Sequence, residues 1–215
     1  MVASLEAARP LPPELLSSRV VVVSDFNCPY CYTLNEWLTD LDLAGRVSWV
    51  GVEHKPHLPT DLSASNRPDD VAILHSEVSD VQRRAPEVEV QLPPVWVNSQ
   101  TALLLQAAIE ADHPERAPAL RQAIFRRFWR EKRNIAAPEE LADCLAQAGL
   151  AWDDERFLDP DQLQRITGWW SLELDRIPCM LAPTGARHLG LQDRPAVEAF
   201  VQGALHEPPP GRVCR

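Results

Sequence analysis

Glycine is scarce in this 215-residue chain: eight, against twenty prolines. That ratio leaves few places for left-handed backbone, and proline marks most element boundaries instead. Positive charge is also short. Lys and Arg total 21 against 31 Asp and Glu, a formal net charge of −10, which disfavours a nucleic-acid partner whose phosphates need neutralising. No run approaches the roughly 18 apolar residues of a membrane span, so no membrane partner is expected. Met1–Ser18 lacks the apolar core of a signal peptide, and the sequence reads as cytoplasmic. Five cysteines, an odd number, argue against a structural disulfide framework. In a reducing compartment a close cysteine pair is more often redox-active or metal-binding than a staple. What remains, 45% hydrophobic and 24% charged, is the composition of a globular protein with a real core. The length suits one domain, or one domain carrying a large insertion.

Arg19–Asp25 (RVVVVSD) is a β-branched run without helical period and reads as a buried strand. Phe26-Asn27-Cys28-Pro29-Tyr30-Cys31 follows, then a helix to about Ala44 with Leu34, Trp37, Leu38 and Leu41 on one face. Gly45 is placed to end it. Arg46–Glu53 reads as a second strand, parallel to the first through a right-handed crossover. A proline-punctuated stretch, 56–94, holds one helix over 69–85. Helices are expected over 99–111, 116–133, 138–148 and 161–175, the third opened by proline and acidic residues and closed by Gly149. Ile177–Ala182 and Arg187–Gln192 suggest a hairpin around Pro183-Thr184-Gly185, and a helix over 194–206 closes the chain. The order is β-α-β, a helical block, then β-β-α: an α/β, thioredoxin-like fold with a large α-helical insertion between its halves. The thioredoxin-like domain is expected over 19–56 and 161–206, the insertion over 57–160, and tails at 1–18 and 207–215.

Cys28 is expected at the first turn of the helix after a buried strand. Unpaired N–H groups and the helix dipole there stabilise a thiolate, which can bring a thiol's pKa from about 8.5 to roughly 3.5–7.5. Cys28 is therefore the candidate nucleophile. Cys31, one turn on and pointing inward, would resolve the mixed disulfide. Pro29 suits the helix start and Tyr30 adds bulk beside the thiols. Late in the chain, Ile177-Pro178 opens a strand where folds of this layout place a cis-proline beside the thiols. Ile177 and Pro178, with Pro29 and Tyr30, are the candidate substrate-binding residues, the Ile177 backbone pairing with an extended substrate.

A Cys-x-x-Cys can instead be half a zinc site, and His54 and His57 follow at His-x-x-His spacing. Proline between the cysteines and a buried strand before them suit a redox helix better. No metal ligand is therefore assigned, and the two histidines are expected in a partly exposed loop. Cys144 and Cys179 read as core and Cys214 as exposed. The basic run 126–133 reads as a solvated helix face with Phe128 and Trp129 turned inward, and Trp169-Trp170 as packing helix against sheet.

The segment SDFNCPYCYTLNEWL resembles the active-site segment of DsbA-like oxidoreductases, especially the cytoplasmic FrnE-type branch. FRRFWREKRNIAAPEELADCLAQAGL is similar to that branch's inserted helices, and IPCMLAPTGARHLGLQDRPAVEAFV to its closing strand, hairpin and helix. The resemblance, over about 19–206, implies dithiol–disulfide exchange on protein or small-molecule disulfides, with Cys28 attacking. No bound cofactor is then required, and glutathione or another low-molecular-weight thiol would serve as co-substrate. Relatives of this fold pair through the inserted helices, so a homodimer is allowed. The fold is shared with 2-hydroxychromene-2-carboxylate isomerases and kappa-class glutathione transferases, whose Asn-containing stretch is similar to Trp96-Val97-Asn98-Ser99. Those enzymes usually carry serine at the first thiol position. Two cysteines favour redox work here over a glutathione-dependent isomerase or transferase, and over a zinc-stabilised or redox-silent binding module.

Overall fold

The computed structural model describes residues 18–151, 163, 166, 167, 174 and 176–206. Four short strands form one mixed sheet in the order β2-β1-β3-β4. Strand β1 (Val21–Ser24) is buried along its whole length. That burial on both faces is why its sequence is a continuous valine run rather than an alternation. It pairs in parallel with β2 (Ser48–Gly51), Val22 opposite Trp49, through the crossover helix α1 (Pro29–Asp40). On its other side it pairs antiparallel with β3 (Cys179–Leu181), Val23 opposite Cys179. The edge strand β4 (Arg187–Leu189) completes the hairpin. Its turn needs Gly185, at φ 88°, whose N–H donates to the carbonyl of Ala182.

Between the two halves of the sheet lie α2 (Pro68–Arg84), α3 (Gln100–Asp112), α4 (Ala117–Trp129) and α5 (Pro138–Gln147). The closing helix α6 spans Arg194–His206. Helix α3 comes so close to β2 that a Cβ on Gly51 would stand 2.7 Å from the Trp49 ring and 2.8 Å from Leu103. A side chain there would force strand and helix apart. The core is aromatic at its centre. Phe26 lies 5.1 Å from Trp49 and 4.8 Å from Phe125, ring centre to ring centre, and Tyr32 stacks on Trp129. The buried aromatic NH groups are paired: Trp129 donates to the Phe26 carbonyl at 2.8 Å and Trp96 to that of Asn27 at 2.6 Å. Both bonds tie the inserted block to the loop that carries the thiols.

Two sequence expectations need correction. Gly45 does not end α1. The helix stops at Asp40, and the reversal is made by Asp42, at φ 56°, while Leu43 and Ala44 both donate to the carbonyl of Leu38. An Asp tolerates the left-handed region better than most residues. The basic run 126–133 is not simply a solvated face. Phe128 and Trp129 do point inward, but Arg126 and Arg130 bond the Glu36 carboxylate of α1, at 3.0 and 2.8 Å. Arg133 bonds Glu140 at 2.8 Å. Glu36 is buried, and a buried carboxylate requires such partners. Cys144 and Cys179 are fully buried, as expected. The helix expected over 161–175 falls largely outside the described residues; Trp169, Trp170 and Cys214 lie outside them altogether.

Candidate functional site

The site is built where β1 runs into α1. Cys28 is the residue flanking the helix start, in extended conformation, and Pro29 occupies the first turn. Proline fits there because its missing N–H would have had no intrahelical partner. Cys31 follows one turn later with its side chain toward the sheet, and both sulfurs are buried and unbridged. The Ile177–Pro178 peptide bond is cis. It immediately precedes the residue paired with Val23, so it stands at the same end of the sheet as the thiols.

The ionisation of Cys28 differs from expectation. Burial pushes its thiol well above the ordinary value, and the Cys31 thiol and the Glu77 carboxylate push in the same direction. A helix N-terminus favours a thiolate, but at 3% exposure the loss of hydration outweighs it.

Tyr30, between the cysteines, donates its hydroxyl to Asp80 of α2 at 3.1 Å. Burial, together with the Asp80 charge, raises its phenol well above the ordinary range. Asp80 is also bonded by Arg83 and Arg84, and Arg84 reaches on to the carbonyl of Leu191. The Cys-Pro-Tyr-Cys turn is thus fastened to the inserted helix and to the segment before α6.

His54 and His57 are not a pair. His54 places Nδ1 at 2.7 Å from Asp25 Oδ2, and its backbone N–H donates to the same oxygen at 2.9 Å. His57 Nε2 lies 3.0 Å from Asp70. Among the described residues no three His, Cys, Asp or Glu side chains converge to hold a metal ion. Two acidic residues that sequence reasoning passed over matter more. Asp25 is fully buried and also accepts from Ser99 Oγ. Glu77 lies on α2 with one carboxylate oxygen, Oε2, buried and unbonded among the described residues. A signal for Glu77 was present: it falls between Leu74, Val78 and Val81, on the buried stripe of its helix.

A four-stranded mixed sheet, a Cys-x-x-Cys at the start of the first helix and inserted helices define a thioredoxin-fold protein with a vicinal dithiol. The sequence model of the DSBA-like thioredoxin domain matches residues 19–165, and the chain belongs to that family. Among solved structures it is similar to a probable DsbA oxidoreductase from Streptomyces coelicolor, at 18% identity and a TM-score of 0.68, over 91% of this chain and 93% of the other. It is also similar to a 2-hydroxychromene-2-carboxylate isomerase, at 18% identity and a TM-score of 0.62, over 86% and 95%. At such identities the likeness is one of fold. No curated protein matches the sequence. The fold is thus shared with a probable oxidoreductase and with an isomerase. Among the described residues no helix is long and apolar enough to cross a membrane.

Proposed function

We propose that this protein is a dithiol–disulfide oxidoreductase acting on disulfide-containing protein or small-molecule substrates. The observation that carries the reading is the presence of two buried, unbridged cysteines, Cys28 and Cys31, at the N-terminal turn of α1. A disulfide is split in two exchanges. The Cys28 thiolate attacks one substrate sulfur, a Cys28–substrate bond forms, the substrate S–S bond breaks, and the second substrate sulfur leaves as a thiolate. Cys31, deprotonated, then attacks Cys28; the Cys28–Cys31 disulfide forms and the first substrate sulfur leaves. The substrate is reduced by two electrons and the protein is oxidised by two. Run backward, the same steps oxidise a dithiol. Glutathione or another low-molecular-weight thiol can return the pair to its starting state, and a reducing, cytoplasmic setting suits the cysteine usage. Ile177 and Pro178 stand at the right end of the sheet to receive an extended substrate strand, with Pro29 and Tyr30 as the opposite wall.

Two variants test this. Cys28→Ser should reduce insulin-disulfide reduction to background, and Cys31→Ser should accumulate mixed disulfides between Cys28 and substrate. Wild-type activity in Cys28→Ser would contradict the assignment. A glutathione-dependent isomerase, by contrast, would keep its turnover in Cys31→Ser and accumulate no mixed disulfide.

A further inference from the structure

Helix α2 is bonded to both sides of the candidate substrate cleft. Its Asp80 carboxylate accepts from the Tyr30 hydroxyl at 3.1 Å, and so reaches the turn that carries the thiols. One helical turn further on, Arg84 places Nη1 at 3.5 Å from the same carboxylate. Its other terminal nitrogen, Nη2, donates to the carbonyl of Leu191. Leu191 follows Gly190, whose N–H donates to the Pro178 carbonyl at 2.8 Å. An unbroken polar path thus runs from Tyr30, through Asp80 and Arg84, to the strand pair that carries Pro178.

The spacing on α2 lets one helix face meet both walls, since residues four apart lie on the same side. The far end of the path is fixed locally as well. Gly190 lies at φ 70°, and a Cβ there would stand 3.1 Å from the Arg176 side chain, so a glycine is required where the chain turns toward Leu191. The side chains of Arg84 and Asp80 are 38% and 25% exposed. An ion pair so placed adds little to stability; what it can set is the distance between the parts it joins. Arg83 bonds the same carboxylate but is 77% exposed, and among the described residues it bonds neither wall.

We propose that Asp80 and Arg84 are positioning residues that hold the Tyr30 wall and the Pro178 wall at a fixed separation, and that this separation selects extended polypeptide disulfides. This rests on the oxidoreductase reading and names its substrate class. A polypeptide strand lying across the thiols must touch both walls at once, so it gains affinity when they are already in place. A small disulfide has only to reach Cys28 and gains nothing from the bridge. Breaking the path at any point frees the walls, so the cost falls on binding of the strand rather than on the exchange itself.

The test compares two substrates in single turnover. Reduced, full-length protein is mixed with excess insulin or 2-hydroxyethyl disulfide, and formation of the Cys28–Cys31 disulfide is followed by quenching, alkylation and mass spectrometry. Asp80→Ala and Arg84→Met should each raise the half-saturating insulin concentration about tenfold, the equivalent of one good hydrogen bond lost from the complex. The limiting rate, and the rate with 2-hydroxyethyl disulfide, should stay within about twofold of wild type. The double variant should bind insulin no worse than either single one, because one break already opens the path. Tyr30→Phe, which removes a single hydroxyl, should show the same split and covers the case in which another variant does not fold. Arg83→Ala should behave as wild type. An unchanged half-saturating concentration in the three bridge variants, or an equal slowing with both substrates, would overturn the proposal and leave the oxidoreductase reading in place. A wild-type protein that forms no Cys28–Cys31 disulfide with either substrate would overturn that reading and the proposal with it.

Discussion

Cys28 carries two opposed influences, and burial prevails over the helix start. This has a consequence for stability that separates the reduced from the oxidised protein. The folded state holds the Cys28 proton more tightly than the unfolded chain does. The resulting stabilisation is fully present below the ordinary thiol value of about 8.5 and is lost as pH rises through the raised folded value. In the oxidised protein the sulfur is bonded to Cys31 and has no proton to lose. The melting temperature of the reduced protein should therefore fall more steeply above about pH 8.5 than that of the oxidised protein. Calorimetry of both forms would check this, and parallel curves would contradict the direction of the shift. Cys144 and Cys179, also raised by burial, titrate in both forms and cancel from the comparison.

At the scale of elements, what holds α1 in register is a polar seam against α4. Glu36, 4% exposed at its side chain, accepts from Arg126 and Arg130. Arg130 also donates to the Tyr32 hydroxyl at 2.8 Å, which in turn donates to the Glu89 carbonyl. The arginines are partly exposed, so water can replace some of what they lose. Glu36→Ala should nonetheless destabilise the protein by about 1.5–3 kcal/mol, the range for hydrogen bonds to a charged group. Chemical denaturation would measure it, and a loss within about 0.5 kcal/mol, as for a surface substitution, would show that the seam is not structural. The positions of α1 and α4 were legible in the sequence, since proline opens each and apolar residues recur at helical spacing. The seam was not, because an RRFWREKR run looks the same whether its charges meet water or a carboxylate from another helix. Gly45 misled for a related reason: a glycine near a helix end is a good stop signal, but Asp42 reaches the left-handed region first.

For the whole molecule, the inserted helices do more than enlarge the core. Trp96 and Trp129 bond the carbonyls just before Cys28, and Asp80 holds Tyr30. The Cys-Pro-Tyr-Cys motif and the order of elements around it were readable in one dimension because they depend on neighbours in sequence. Asp25 with His54, and Tyr30 with Asp80, join residues far apart in the chain, so only the fold brings them together. His54 and His57 are near in sequence, yet the fold gives each ring a different carboxylate, Asp25 and Asp70. In the proposed reaction Cys28 and Cys31 cycle between dithiol and disulfide as one unit. Equilibrating the protein in glutathione redox buffers, then trapping and weighing it by mass spectrometry, tests this directly. One reversible two-electron transition confined to Cys28 and Cys31 is expected, tenfold in equilibrium for about 30 mV. A pair that stays reduced across the whole series, or oxidation that spreads to other cysteines instead, would contradict it.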